Sequence, residues 1–184
     1  YEKATITLRT MQGREAVADF ALDSIRRIIT ARAFNPEERS ALARVKMDLS
    51  EYRIAVDAIA VIGHPGNPLK HLRLGMLDSI FSGTMKRWPG RRGEAITVAA
   101  GDVNSSTNEV FRDVVLKGRP ILPEARTFGS SRELVDFVRT TPQAIGIVGL
   151  AWLKGFDREL RVFALGGPEF RPDSSLPAGQ FYSP

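Results

Sequence analysis

The chain has 184 residues, of which 43% are hydrophobic and 26% charged, and it carries a formal net charge of +5. That length suits one domain or two small lobes sharing a core, and no apolar run is long enough to cross a membrane. Cysteine is absent and there are two histidines, His64 and His71, which excludes disulfides, thiol catalysis and zinc–cysteine sites and leaves no basis for a metal–histidine cluster.

The opening segment Thr5–Thr10 alternates apolar and polar residues and reads as a strand. It lacks a basic stretch followed by an apolar one, so the sequence shows no signal peptide. Gly13 opens a helix with Ala16, Val17, Phe20 and Ala21 on one face. Residues Ile25–Ala31 are a second strand candidate. Asn35-Pro36-Glu37-Glu38 is a helix start, with Asn as the cap, Pro in the first turn and Glu38 three residues after the cap.

Residues Arg53–Ile62 give the strongest strand signal, because a nearly continuous apolar run implies burial on both faces. His64-Pro65-Gly66-Asn67-Pro68 breaks it. A helix follows with Met76, Leu77, Ile80 and Phe81 as its apolar stripe, and Gly83 suits the position just past its end. The densest basic group, Lys86, Arg87, Arg91 and Arg92, surrounds Pro89-Gly90 and reads as a solvated loop.

Ile96–Ala100 is a short strand. Ser106-Thr107-Asn108-Glu109 reads as a capping box that starts a helix with Val110, Phe111, Val114 and Val115 inside, ended by Gly118. Ser130-Ser131-Arg132-Glu133 is a second box, and Thr141-Pro142 stops its helix. Ile145–Leu150 is another buried strand, and Gly166–Pro184 is irregular. Strands separated by helices imply an α/β fold with largely parallel sheets.

Catalytic motifs are missing: there is no GxSxG elbow, HExxH, Walker A or GxGxxG. His64 sits in a Pro/Gly turn and His71 at a helix start, both surface settings. Asp57 lies inside an apolar run, where a carboxylate is ordinarily hydrogen-bonded to backbone. The group suited to binding is Asn104-Ser105-Ser106-Thr107, which follows a strand and starts a helix. Hydroxyls, free first-turn amides and the helix dipole suit an oxyanion there. The alternative is an ordinary Ser-rich helix cap.

Several segments, in order, resemble the phosphate-binding proteins of ABC transporters, within the type II periplasmic binding proteins. Asp57-Ala58-Ile59-Ala60-Val61-Ile62, Asn67-Pro68, Ile80-Phe81-Ser82-Gly83 and Trp88 are similar to that family's D-G-I-A-V-I, N-P and I-F-S-G stretch with its following Trp. Ser105-Ser106-Thr107 with Phe111 is similar to the S-G-T anion loop, and residues Thr141–Gly149 to T-P-G-A-I-G-Y-V-G. Ala31–Phe34 is similar to S-R-P-L, and Tyr182-Ser183-Pro184 falls where the family has Y-P-L-S.

The resemblance implies a two-lobed α/β fold with two crossing hinge strands. Lobe 1 would comprise residues 1–58 and 149–184, and lobe 2 residues 59–148. It implies a non-enzymatic receptor that needs no cofactor or metal and closes on phosphate or a similar small oxyanion. It would serve transport or sensing outside the cytoplasm, with an ABC permease or envelope protein as partner and no role for nucleic acid. The alternative is a sensory or structural domain of an envelope protein that kept the fold without tight binding. The implied ligand residues are Ser105, Ser106 and Thr107, with Gly13, Arg14 and Arg26 from the other lobe. Three positions depart from the family: Gly101 stands where it has Arg, Gly13 where it has Ser, and Arg26 where it has the Asp that accepts a proton from hydrogen phosphate. The resemblance also implies that the family's opening strand and its Ser/Thr loop are absent from this sequence, with Tyr1 falling after them. The exchange of acid for arginine leads to the expectation that a fully ionised anion is preferred.

Overall fold

The computed structural model describes residues 5–55, 57–90, 94–156 and 158–166. Arg91 and Arg92 of the basic loop, and the tail after Gly166 with Tyr182-Ser183-Pro184, lie outside the described residues.

Three strands are buried on both faces, as their apolar runs require. They are β1 (Ile59–Gly63), β3 (Thr97–Gly101) and β5 (Ala144–Gly149). With β4 (Arg126–Phe128) and β6 (Arg161–Val162) they form a five-stranded sheet in the order β4-β3-β5-β1-β6. Two short strands, β2 (His71–Leu72) and β7 (Ala164–Leu165), pair separately. The period of two along each strand divides the core. Val61, Val98, Ile145 and Ile147 point to one face, under α3 (Leu74–Phe81) and α4 (Ser106–Val114). Ala60, Ile62, Ala99, Ala144 and Val148 point to the other, under α5 (Ser131–Thr140). Gly146 is where α5 comes closest: a Cβ there would lie 2.8 Å from Leu134 Cδ2 and 3.1 Å from Val138 Cγ2. Gly83, at φ +82°, follows α3 as its left-handed terminator.

The sheet is mixed, where the sequence reading expected largely parallel pairing. β4, β3 and β5 run parallel, but β5 and β1 are antiparallel, with Ile59 opposite Gly149 and Gly63 opposite Ile145. The segments that the resemblance makes the crossing strands, Arg53–Ile62 and Ile145–Leu150, contain β1 and β5, which are thus immediate neighbours.

Three expected strands differ from the structure. Thr5–Thr10 and Ile25–Ala31 form no strand, and in Arg53–Ile62 pairing starts only at Ile59. Alternation marks a face that a strand could bury, but a strand exists only where a neighbour supplies the ladder. Among the described residues neither early segment has one, and Ile6, Leu8, Ile29, Tyr52 and Ile54 are exposed. The structured part of this region is two helices, α1 (Gly13–Ala21) and α2 (Pro36–Arg44). In α2 the capping box forms as its sequence dictates. Asn35 Oδ1 accepts from Glu38 N at 2.8 Å and Asn35 N donates to Glu38 Oε2 at 2.9 Å.

Candidate functional site

The chain runs from β3 through α4 to β4, on one side of β3, then through α5 to β5, on the other side. That reversal opens a crevice at the carboxyl ends of the parallel strands, where α/β sheets bind ligands. A cavity of about 70 Å³ occupies it. Gly101 and Asp102 line it at the end of β3, and Phe128 and Gly129 at the end of β4. Ser105 and Thr107 come from the start of α4, Ser130 and Ser131 from the start of α5, and Gln12 caps α1. Three helix N-termini therefore converge on one small space. Their unpaired amides and dipoles favour negative charge there.

Local contacts fix this wall. Ser105 N donates to Asp102 O at 2.9 Å, and Asn104 N to Asp102 Oδ1 at 2.8 Å. Asn108 is buried and donates through Nδ2 to the carbonyls of Gly101 at 2.8 Å and Asp102 at 3.0 Å. Its Oδ1 has no hydrogen-bond partner among the described residues. The cap of α4 is Ser105, whose Oγ accepts from Asn108 N at 3.3 Å, one residue earlier than the box read from the sequence. The shift has a consequence: Glu109 is not the reciprocal partner of a cap. It turns instead to Arg32, with Nε and Oε2 at 2.5 Å, and to Arg14 and Asn35 Nδ2, each at 3.4 Å from Oε1. In α5 the cap is Ser130, as read, with Oγ accepting from Glu133 N at 3.2 Å.

The six residues picked from the sequence fall into distinct places. Ser105 and Thr107 line the cavity. Ser106 faces Gly13 instead: a Cβ on Gly13 would lie 2.5 Å from Ser106 Oγ, so glycine lets α1 seat against α4. Arg14 joins that contact through its backbone N, 3.4 Å from Asn104 O, but its guanidinium turns to Glu109 and borders a separate groove between α1 and α2. Arg26 is exposed, in a stretch that forms no strand, and borders neither the cavity nor that groove. No lysine or arginine is among the described residues lining the cavity.

Arg32 also holds Glu38 bidentately, at 2.8 and 2.7 Å. Those hydrogen bonds, with the Asn35 amide, hold the Glu38 carboxyl below its ordinary value of 4.5 against the opposing effect of burial. A carboxyl with a depressed folded-state pKa adds stability that is complete above its unfolded value and lost as pH falls through the folded one. Stability should therefore decline as pH drops below about 4.5. Glu38→Gln should flatten that part of the profile in urea titrations between pH 3 and 7. An unchanged slope would mean that other carboxylates carry it.

A family model described as a PBP superfamily domain matches residues 1–172. The chain belongs to the PBP superfamily. Solved structures show the same two-lobed α/β fold. A Clostridium perfringens protein solved with bound phosphate aligns with a TM-score of 0.70 at 22% identity, covering 82% of this chain and 60% of that one. An ABC-type phosphate transport receptor from Vibrio cholerae aligns at 0.64 and 17%, covering 83% and 61%. PstS from Borrelia burgdorferi aligns at 0.58 and 18%, covering 87% and 64%. This PBP superfamily member thus spans less than two thirds of each of these chains. No curated protein matches it by sequence. Within it, Gln12, Asp102, Ser130 and Ser131 were missed as cavity residues. Ser130-Ser131 carried a usable signal, since it repeats after β4 the strand, Ser-Ser, helix pattern that follows β3.

Proposed function

We propose that this PBP superfamily domain is a receptor for a phosphate-like oxyanion, held in the crevice at the N-termini of α1, α4 and α5. The observation that carries the reading is the convergence of three helix starts, with the hydroxyls of Ser105, Thr107, Ser130 and Ser131, on one cavity. Binding rather than catalysis is supported by the family and by neighbours that include a phosphate ABC transporter substrate-binding protein and a phosphate transport receptor. The division into residues 59–148 and a second lobe, closure between them, and action outside the cytoplasm with an ABC permease belong to the same proposal. No helix among the described residues is long and apolar enough to cross a membrane.

The cavity's charge revises the preference expected from the sequence. With Arg14 held by Glu109 and Arg26 exposed, neither guanidinium of this pair lines the cavity, whereas Asp102 does, with one carboxylate oxygen accepting from the Asn104 amide. A carboxylate accepts a hydrogen bond from a protonated oxyanion and repels one without a proton. Hydrogen phosphate is therefore favoured over sulfate. Calorimetric titration at pH 7 should show one phosphate per chain and at least tenfold weaker sulfate binding. Equal affinities would remove Asp102 from the reading, and no heat with either anion would favour the alternative of a domain that kept the fold without the ligand.

A further inference from the structure

Asn108 is buried in the first turn of α4, behind the cavity wall and not among the residues that line it. It stands three residues after the cap Ser105. A Glu or Gln at that position ordinarily reaches back to accept from the backbone N–H of the cap. Asn108 donates instead, through Nδ2, to two consecutive carbonyls, Gly101 O at 2.8 Å and Asp102 O at 3.0 Å. Its Oδ1 is left without a partner among the described residues. A buried acceptor with no partner is a cost that the helix does not require, since an apolar side chain of the same shape would avoid it. What the amide achieves lies outside the helix. Asp102 is held at three points: its carbonyl accepts from Asn108 Nδ2 and from Ser105 N, and its carboxylate from Asn104 N. The last two bonds arise within Asp102–Ser105 and close that turn on itself. The Asn108 bonds fasten the turn, and the end of β3 at Gly101, to the helix.

We propose that Asn108 is a positioning residue that sets the anion selectivity of the cavity, by fixing where the Asp102 carboxylate stands relative to the hydroxyls of Ser105 and Thr107. It rests on the oxyanion reading, and on Asp102 as the group that tells hydrogen phosphate from sulfate. A carboxylate accepts from the O–H of an anion only at about 3 Å and close to the line of that bond. One free to swing away loses the bond, and it also relieves the repulsion that disfavours sulfate. The hydroxyls of Ser105 and Thr107 serve both anions alike. Every member of this clamp lies between residues 101 and 108, inside the proposed second lobe, so closure of the other lobe on the anion leaves it undisturbed.

Asn108→Leu keeps the size of the side chain and removes its donors. Calorimetry with sodium phosphate and sodium sulfate at pH 7 should show phosphate weakened about tenfold, the loss of one charge-assisted hydrogen bond, while sulfate changes by less than about twofold. Asn108→Ala, which suits a helix and leaves the space open, should lose the preference in the same way, with circular dichroism to show that both variants are folded. Phe111→Leu is the structural comparison. It loosens α4 through packing alone, so it weakens both anions together and keeps their ratio. Folded Asn108 variants that retain the wild-type preference, or that lose both anions in parallel, would overturn the proposal and leave the oxyanion reading standing. Failure of both variants to fold would make Asn108 a residue of the fold and would overturn it as well. A wild type that binds phosphate and sulfate equally removes Asp102 and the proposal with it, and one that binds neither defeats the oxyanion reading itself.

Discussion

Ser105→Ala/Thr107→Ala weakens phosphate binding by about 100-fold or more. Each hydroxyl that donates to a charged oxyanion contributes about 1.5–3 kcal/mol. Two such losses amount to at least about 3 kcal/mol, and about 1.4 kcal/mol is tenfold in affinity. The two side chains belong to one turn, so their effects are coupled and the double variant is the safer measure. Ser105 also caps α4, and losing that cap costs about 1 kcal/mol of helix stability. Calorimetry is therefore run well below the unfolding temperature, with Ser40→Ala, an exposed change on α2, as the control that leaves affinity unchanged. A double variant that binds like the wild type would remove the start of α4 from the site.

Phe111→Ala lowers unfolding stability by about 3–5 kcal/mol, the usual cost of removing a buried aromatic ring from a packed core. Phe111 is fully buried and tilts against Phe81, with ring centroids 4.6 Å apart. It joins α4 to α3 in the cluster that also contains Val98, Ile145 and Ile147. The effect reaches the site, because the same helix carries Ser105 and Thr107 to the cavity. Urea unfolding gives the loss directly, and a cost below about 1 kcal/mol would mean that α4 is not seated as described. Phe111→Leu, which refills part of the space, costs less.

Sequence patterns were most legible where local and tertiary demands coincide. Val61, Ile145 and Ile147 sit in continuous apolar runs because they are covered on both faces. Asn35-Pro36 and Ser130 start helices through contacts within four residues. Pairing is not local, which is why Thr5–Thr10 and Ile25–Ala31 carried strand patterns without becoming strands. The same reason hid half of the cavity: Gln12, Ser105 and Ser130 are far apart in sequence and meet only because the chain reverses about β3. Glu109 was read as part of a cap because a one-residue shift between Ser105 and Ser106 is invisible in a Ser-Ser pair. Arg26 was placed at the site by the family resemblance, but it is exposed in a stretch that forms no strand.

The central claim is that an oxyanion sits at three converging helix starts, and backbone amide resonances report it most directly. In a phosphate titration followed by two-dimensional NMR, the largest shifts should fall on the amides of Ser105, Ser106 and Thr107 and of Ser130 and Ser131, saturating together with one dissociation constant. Shifts confined to one of the two helices, or scattered over exposed arginines such as Arg26 without saturating, would contradict it.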